Sequence, residues 1–358
     1  MRAVVAKLIA IVVFVVLAPI GVQGAERAAE RPVIRVYNWE DYIPPELLRR
    51  FEETTGIRVE YSTYGSTEEL VTNVANNPGR YDVIVPSSYT VAYLRGKGML
   101  APLDKTRIPN IRNLDPMFMS PTFDPGSRYC VAYLWSKLVV GYNSSRVSRP
   151  LQSWTEIFEP RFSGRVALLT DSRESLGVVL LMLGFSPNTT DPTEIAKARD
   201  FLISRNRHIH SYADDSGEDL LDEGKVDIAL SWEGDMAALT ARRPDLRYVV
   251  PIEGSVVATD SMCIPATSRN KVHAARFIDF VLDAEMGALL ASEVMYPTPN
   301  LAAQARLPES ARARQKLSED MKTRLFPLAD VGNAALSLYD DAWEKILENH
   351  RGGRRARK

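Results

Sequence analysis

Cysteine is scarce in this sequence, with two residues among 358. Cys130 and Cys263 stand far apart and build neither a thiolate metal cluster nor a closely spaced redox motif. Histidine is also rare, at four residues, and the His208-Ile-His210 pair has no cysteine beside it, so no metal site is expected. The longest apolar run, Leu8 to Ala18, has 11 residues, short of the roughly 20 that a membrane-spanning helix needs. With 44 basic against 45 acidic residues there is no cationic excess of the kind that binds nucleic acid. No glycine-flanked serine elbow and no phosphate-cradling glycine loop occur, and we expect neither an enzyme nor a cofactor.

What the chain does have begins with a leader. Arg2 and Lys7 precede the apolar run, and Pro19 and small or turn-forming residues follow it as far as Gly24. That is the layout of a cleaved secretory signal peptide over residues 1–24, an uncleaved anchor being the alternative. Removing 24 of 358 residues leaves 334, enough for two lobes and a cleft between them. The leader takes two basic residues with it, leaving 42 against 45, a net of −3. Five more lie in the tail 351–358, so the body is nearer −8, which suits a cationic ligand. That tail, 349–358, reads as a disordered, solvated end. In an oxidising compartment the two cysteines pair in one disulfide or serve as small buried hydrophobes, and the second reading is preferred.

From Ile34 the pattern alternates. A strand to Asn38, a helix after Pro44-Pro45 running to Thr55, a strand Arg58–Tyr64, a helix from Ser66 and a strand Asp82–Val85 follow in turn. This is the βαβ signature of a parallel sheet. Ser66-Thr-Glu-Glu69 has the form of a capping box, and Gly56 is placed to end the first helix. A long apolar strand, Val131–Tyr142, carries the chain across to a second lobe. There the alternation resumes with strands at Arg165–Leu169, Val226–Ser231 and Arg247–Val250 and a return crossing at Met262–Pro265. The expected fold is therefore α/β with two discontinuous lobes: 25–135 plus 256–300, and 136–255 plus 301–348.

Ligands of open α/β sheets bind beyond the carboxyl ends of the strands. The residues following these strands are Trp39, Glu40, Asp41 and Tyr42, then Ser87 and Tyr89, then Asp171 and Glu174, then Trp232 and Asp235, with Asp260 and Tyr296 arriving from later crossings. Acids and aromatics recur together. An alkyl diamine or triamine wants that mixture: carboxylates replace the water lost by each ammonium, while ring faces cover the methylenes and attract the cation. Asp171 and Glu174 also have a purely structural reading, as an N-cap and a first-turn acid. The acidic stretch Asp214 to Glu223 lacks calcium-loop spacing and reads as a solvated helix face. Trp135, Trp154 and Trp343 read as packing residues. Arg173 is the nearest arginine to the strand ends, the kind of residue an α-carboxylate ligand would require.

Several stretches resemble the periplasmic spermidine/putrescine-binding proteins: Tyr37-Asn-Trp-Glu-Asp-Tyr-Ile-Pro-Pro45, Phe51-Glu-Glu-Thr-Thr-Gly-Ile57, Tyr81-Asp-Val-Ile-Val-Pro-Ser87, Leu168-Leu-Thr-Asp171, Asn188-Thr-Thr-Asp-Pro192 and Tyr296-Pro-Thr-Pro-Asn-Leu-Ala-Ala303. The resemblance spans nearly the whole chain in order. It implies a type II periplasmic binding protein fold that closes around its ligand by hinge motion, acting as a monomer outside the cytoplasm with the permease of an ABC importer as partner. By resemblance Trp39, Tyr42, Trp232 and Tyr296 match aromatic walls, and Glu174 and Asp260 the main amine-binding carboxylates. Asp171 matches an acid at the inner amine of spermidine, Asp41 an acid at the opposite end, and Ser87 and Tyr89 the polar loop beside it. Asp235 resembles the putrescine-binding branch. Three positions depart from the pattern: Ala258 replaces an aromatic, Leu328 a glutamine and Glu40 a small hydroxyl residue. These departures leave the particular amine open, and a same-fold receptor for another small cation or a sensory receptor is the alternative.

Overall fold

The computed structural model describes residues 31–355 apart from 214–216 and 316; the leader, Asp214 and Asp215 lie outside the described residues. The first lobe opens with β1 (Val33–Trp39), α1 (Pro45–Thr55), β2 (Arg58–Tyr64), α2 (Thr67–Asn76), β3 (Val83–Ile84) and α3 (Ser88–Gly96). A connection of short 3-10 turns then leads into β4 (Cys130–Asn143). The second lobe continues with β5 (Val166–Leu169), α4 (Ser172–Met182), α5 (Pro192–Arg205), β6 (Ile209–Ala213), α6 (Gly217–Asp222), β7 (Ile228–Trp232), α7 (Glu233–Arg242) and β8 (Leu246–Val249). The chain returns along β9 (Ser255–Cys263) to α8 (Lys271–Val281) and α9 (Ala284–Glu293). It finishes with α10 (Leu301–Gln304), α11 (Glu309–Gln315), α12 (Glu319–Thr323), β10 (Leu325–Pro327) and α13 (Gly332–Arg355). No helix among the described residues is long and apolar enough to cross a membrane.

The two lobes repeat one topology. In the first, β2, β1 and β3 lie side by side with β1 parallel to both neighbours; in the second, β6, β5 and β7 do the same around β5. Each triplet thus runs second, first, third in chain order, and each is extended by antiparallel crossing strands. β4 is the shared element: its first half pairs with β9 and its second half with β7 and β8. Thirteen of its fourteen residues are buried, which accounts for its near-continuous apolar run.

Local chemistry sets the boundaries. Pro45 opens α1 in the first turn, where its missing N–H costs nothing, and Gly56 ends it at φ 72°, donating its N–H to Glu52. Ser66 caps α2 by accepting from the N–H of Glu69. The capping box is only half realised, because the Glu69 carboxylate reaches past Ser66 to the N–H of Gly65 and accepts from Tyr37 Oη as well.

Some expectations need correction. The return crossing is β9, earlier and longer than Met262–Pro265. Helix α3 stands where the resemblance implied a polar loop, and α7 is a helix at a segment given no element from the sequence. The tail is helical as far as Arg355 and buries His350, because α13 packs along α5. Glu218 is not simply solvated: it accepts from Ser231 Oγ at 3.0 Å, and burial pushes its carboxyl up. His208 sits in the turn before β6, and His210 lies on that strand. Trp135, Trp154 and Trp343 are buried as expected, with Trp154 Nε1 donating to the carbonyl of Gly254 at 2.8 Å. The two cysteines are not free thiols: β4 and β9 place Cys130 opposite Cys263, and the pair forms a disulfide with Cα atoms 4.4 Å apart.

Candidate functional site

In each lobe the first and third strands are neighbours from which the chain leaves in different directions, and such switch points open a crevice at the carboxyl ends. The ends of β1 and β3 face those of β5 and β7 across a cavity of about 320 Å³. Eleven of the twelve expected site residues line it: Trp39, Glu40, Asp41, Tyr42, Ser87, Asp171, Glu174, Trp232, Asp235, Asp260 and Tyr296. Tyr89 lies behind Asp171, in an adjoining chamber of about 640 Å³.

At one end Asp260 is held from two sides. Tyr42 Oη donates to it at 2.8 Å and Ser87 Oγ at 2.6 Å. Ser87 is the N-cap residue of α3, yet its hydroxyl makes no cap and turns to the carboxylate instead. Tyr42 reaches this position after a tight turn in which Asp41 adopts a left-handed φ of 48°, a conformation Asp tolerates better than most residues. Tyr133 Oη donates to the Tyr42 carbonyl, and the Tyr42 ring meets the Tyr296 ring edge-on at 4.8 Å. The Trp39 indole N–H lies near enough to Asp260 to favour its charge, without the alignment of a full hydrogen bond.

The far wall is built from helix starts. Asp171 caps α4 through one oxygen, which accepts from the N–H groups of Arg173 and Glu174, and its other oxygen accepts from Tyr89 Oη at 2.5 Å. The capping reading and a position at the cavity wall are therefore both realised in one side chain. Glu174 stands in the first turn of the same helix. Asp235, in the first turn of α7, accepts from Tyr296 Oη at 2.7 Å. That contact needs Gly234: a Cβ there would fall 2.0 Å from the Tyr296 ring. Tyr89 and Tyr296 each reach from the first sheet's side to a carboxylate carried by the second. Burial holds the Tyr42 and Tyr89 phenols protonated, far above their ordinary range, and the nearby carboxylate charges add to that.

Seven carboxylates line the cavity, those of Glu40, Asp41, Glu68, Asp171, Glu174, Asp235 and Asp260, and among the described residues no lysine, arginine or histidine does. Arg173 is turned away and buried, donating to Asn188 at 3.0 Å and stacking over Tyr339. Lys137, next to Ser136 on β4, does not line the cavity and is consumed by Glu233 in a buried ion pair. An α-carboxylate would meet no counter-charge here, whereas an ammonium would meet several. Ala258 lines the cavity, while Leu328 is buried outside it.

The strand-end rule also applies to β2, where it was not used. Gly65, Ser66, Thr67 and Glu68 follow Tyr64 and line the cavity. Ser136 also lines it from the middle of β4, where no strand-end pattern points.

Burial pushes the Asp260 carboxyl from 3.8 up to about 6, against the hydrogen bonds from Ser87 and Tyr42 that pull it down. Between those two values the folded chain keeps a proton that the unfolded chain has lost, so this contribution to stability falls as pH rises through about 6. The shift corresponds to roughly 3 kcal/mol. We expect Asp260→Asn, without ligand, to exceed the wild type in stability at pH 7 by up to that amount, and the two to converge near pH 4. Denaturant midpoints measured against pH check this; a constant difference would contradict a buried charge.

Two α/β lobes of like topology, joined by crossing strands around a cavity at their strand ends, define the class of two-lobed solute-binding proteins. The bacterial extracellular solute-binding protein family model matches residues 46–317. The spermidine/putrescine-binding periplasmic protein of Salmonella typhimurium is 34% identical over 327 residues, covering 90% of this chain and 94% of the relative. The putrescine/cadaverine-binding protein of Pseudomonas aeruginosa is 31% identical, covering 90% and 96%. Among solved structures, the spermidine/putrescine ABC transporter substrate-binding protein PotD of Streptococcus pneumoniae superposes with a TM-score of 0.78 at 32% identity, covering 89% of this chain and 99% of its own. The chain belongs to the periplasmic spermidine/putrescine-binding protein family within the bacterial extracellular solute-binding proteins. Its members bind a solute for an ABC transporter and are not enzymes.

Proposed function

We propose that this protein is a periplasmic receptor that captures a polyamine, putrescine or spermidine, in the interlobe cleft and hands it to the permease of an ABC importer. The observation that carries the reading is the lining itself: seven carboxylates and four aromatic residues, Trp39, Tyr42, Trp232 and Tyr296, with no facing cation among the described residues. Asp260, Glu174, Asp171 and Asp235 are assigned to the ammonium groups, Glu40 and Asp41 to the rim, and Ser87 and Tyr89 to orienting Asp260 and Asp171. The lobes are assigned as 25–135 plus 256–300 and 136–255 plus 301–348, in keeping with β4 changing partners at Leu138. Residues 1–24 are assigned as a cleaved leader and the mature chain as a monomer. Calorimetric titration of residues 25–358 with putrescine, spermidine, cadaverine and a neutral amino acid tests the proposal. Saturable one-to-one binding of an amine, and silence toward the amino acid, is the expected result; silence toward every amine would overturn it.

A further inference from the structure

The floor of the cavity carries a polar atom that the protein leaves unused. Ser136 is 2% exposed, lines the cavity, and its hydroxyl has no hydrogen-bond partner. A buried hydroxyl normally finds a partner, so its absence requires an explanation. The register of β4 gives its place. Leu134 pairs with Asp260, Ser136 with Ala258 and Leu138 with Trp232. Residues two apart on a strand point to the same face and are about 7 Å apart, so Ser136 stands midway between the Asp260 end and the Trp232 end, where Asp235 follows.

Ala258 sets what lies beside this atom. Side chains directly opposite on antiparallel strands have Cβ atoms about 4.5–5.5 Å apart, so a large ring at 258 would lie across the Ser136 hydroxyl. Alanine places only a methyl group there, and the hydroxyl stays buried at the cavity floor without a ring packed across it. A methylene placed there would bury the hydroxyl against carbon, while an N–H would restore the missing bond.

The geometry points to Ser136 as a specificity-determining residue that accepts a hydrogen bond from a polar group in the middle of the ligand, favouring a linear triamine over a diamine of the same length. This rests on the polyamine reading above. The discriminating pair is spermidine and 1,8-diaminooctane, equal in length and differing at one inner position, a secondary ammonium (NH₂⁺) in the first and CH₂ in the second; the comparison of wild type with Ser136→Ala separates the hydroxyl's part from that of the extra charge. Wild-type protein is expected to prefer spermidine at least tenfold by calorimetry. Ser136→Ala is expected to cut that preference by about fivefold or more, with the melting temperature unchanged because no protein partner is lost; Ser136→Thr keeps a hydroxyl and is expected to retain it. A preference that Ser136→Ala leaves unaltered, with both amines still binding, overturns this inference alone. Binding of neither amine to the wild type overturns the polyamine reading and this inference with it.

Discussion

Asp260→Asn is expected to weaken amine binding by about 150- to 5,000-fold, in line with the roughly 3–5 kcal/mol lost when one partner of a buried ion pair is removed. Asparagine keeps the shape of the side chain, so Tyr42 and Ser87 can still approach, but one of their two donors then faces an NH₂ group rather than an oxygen. The ammonium loses its counter-charge where water cannot replace it. The same substitution is expected to raise the stability of the empty protein at pH 7, because the charge that binds the ligand is the one that burial disfavours. Binding and stability therefore move in opposite directions, which a merely structural role would not produce. Paired titrations and denaturation curves of wild type and variant check both. Unchanged affinity would remove Asp260 from the site.

Much of this arrangement was legible because one rule, ligands at strand ends, acts on local sequence. Trp39 to Tyr42, Asp171, Glu174, Trp232 and Asp235 all follow directly from it. What escaped is physically instructive. β9 carries Thr259, Asp260 and Ser261 in its middle, a polar run that conceals a strand unless it is known to cross a cleft. Ser136 is hidden for the same reason within an apolar strand. Helix α3, Ser-Tyr-Thr-Val-Ala-Tyr-Leu-Arg-Gly, is rich in β-branched and aromatic residues of modest helix propensity, and its helix rests on burying Val91, Ala92 and Leu94. The basic tail looked solvated because its composition says nothing of the amphipathic helix feeding into it, whose Tyr339, Trp343 and Ile346 are buried.

The cysteines show how register decides what spacing cannot. A separation of 133 residues gives no hint of contact, yet β4 and β9 bring the two into direct opposition, with 3% and 0% exposure. The closed segment contains β5 to β8, that is, the parallel triplet of the second lobe and its added strand. A cross-link around so long a loop removes much of the unfolded chain's freedom, worth about 5 kcal/mol in the chain-entropy account. Replacing both residues, Cys130→Ala with Cys263→Ala, is expected to cost about that much stability and to lower the melting temperature by roughly 5–10 °C. Amine affinity should change little, since Asp260 is fixed by Tyr42 and Ser87 rather than by the disulfide. Thermal melts of wild type with and without reductant, alongside the double variant, test the assignment. Reduced wild type and variant should melt together below the oxidised protein, and three coincident curves would mean that the link adds nothing to the pairing of β4 with β9.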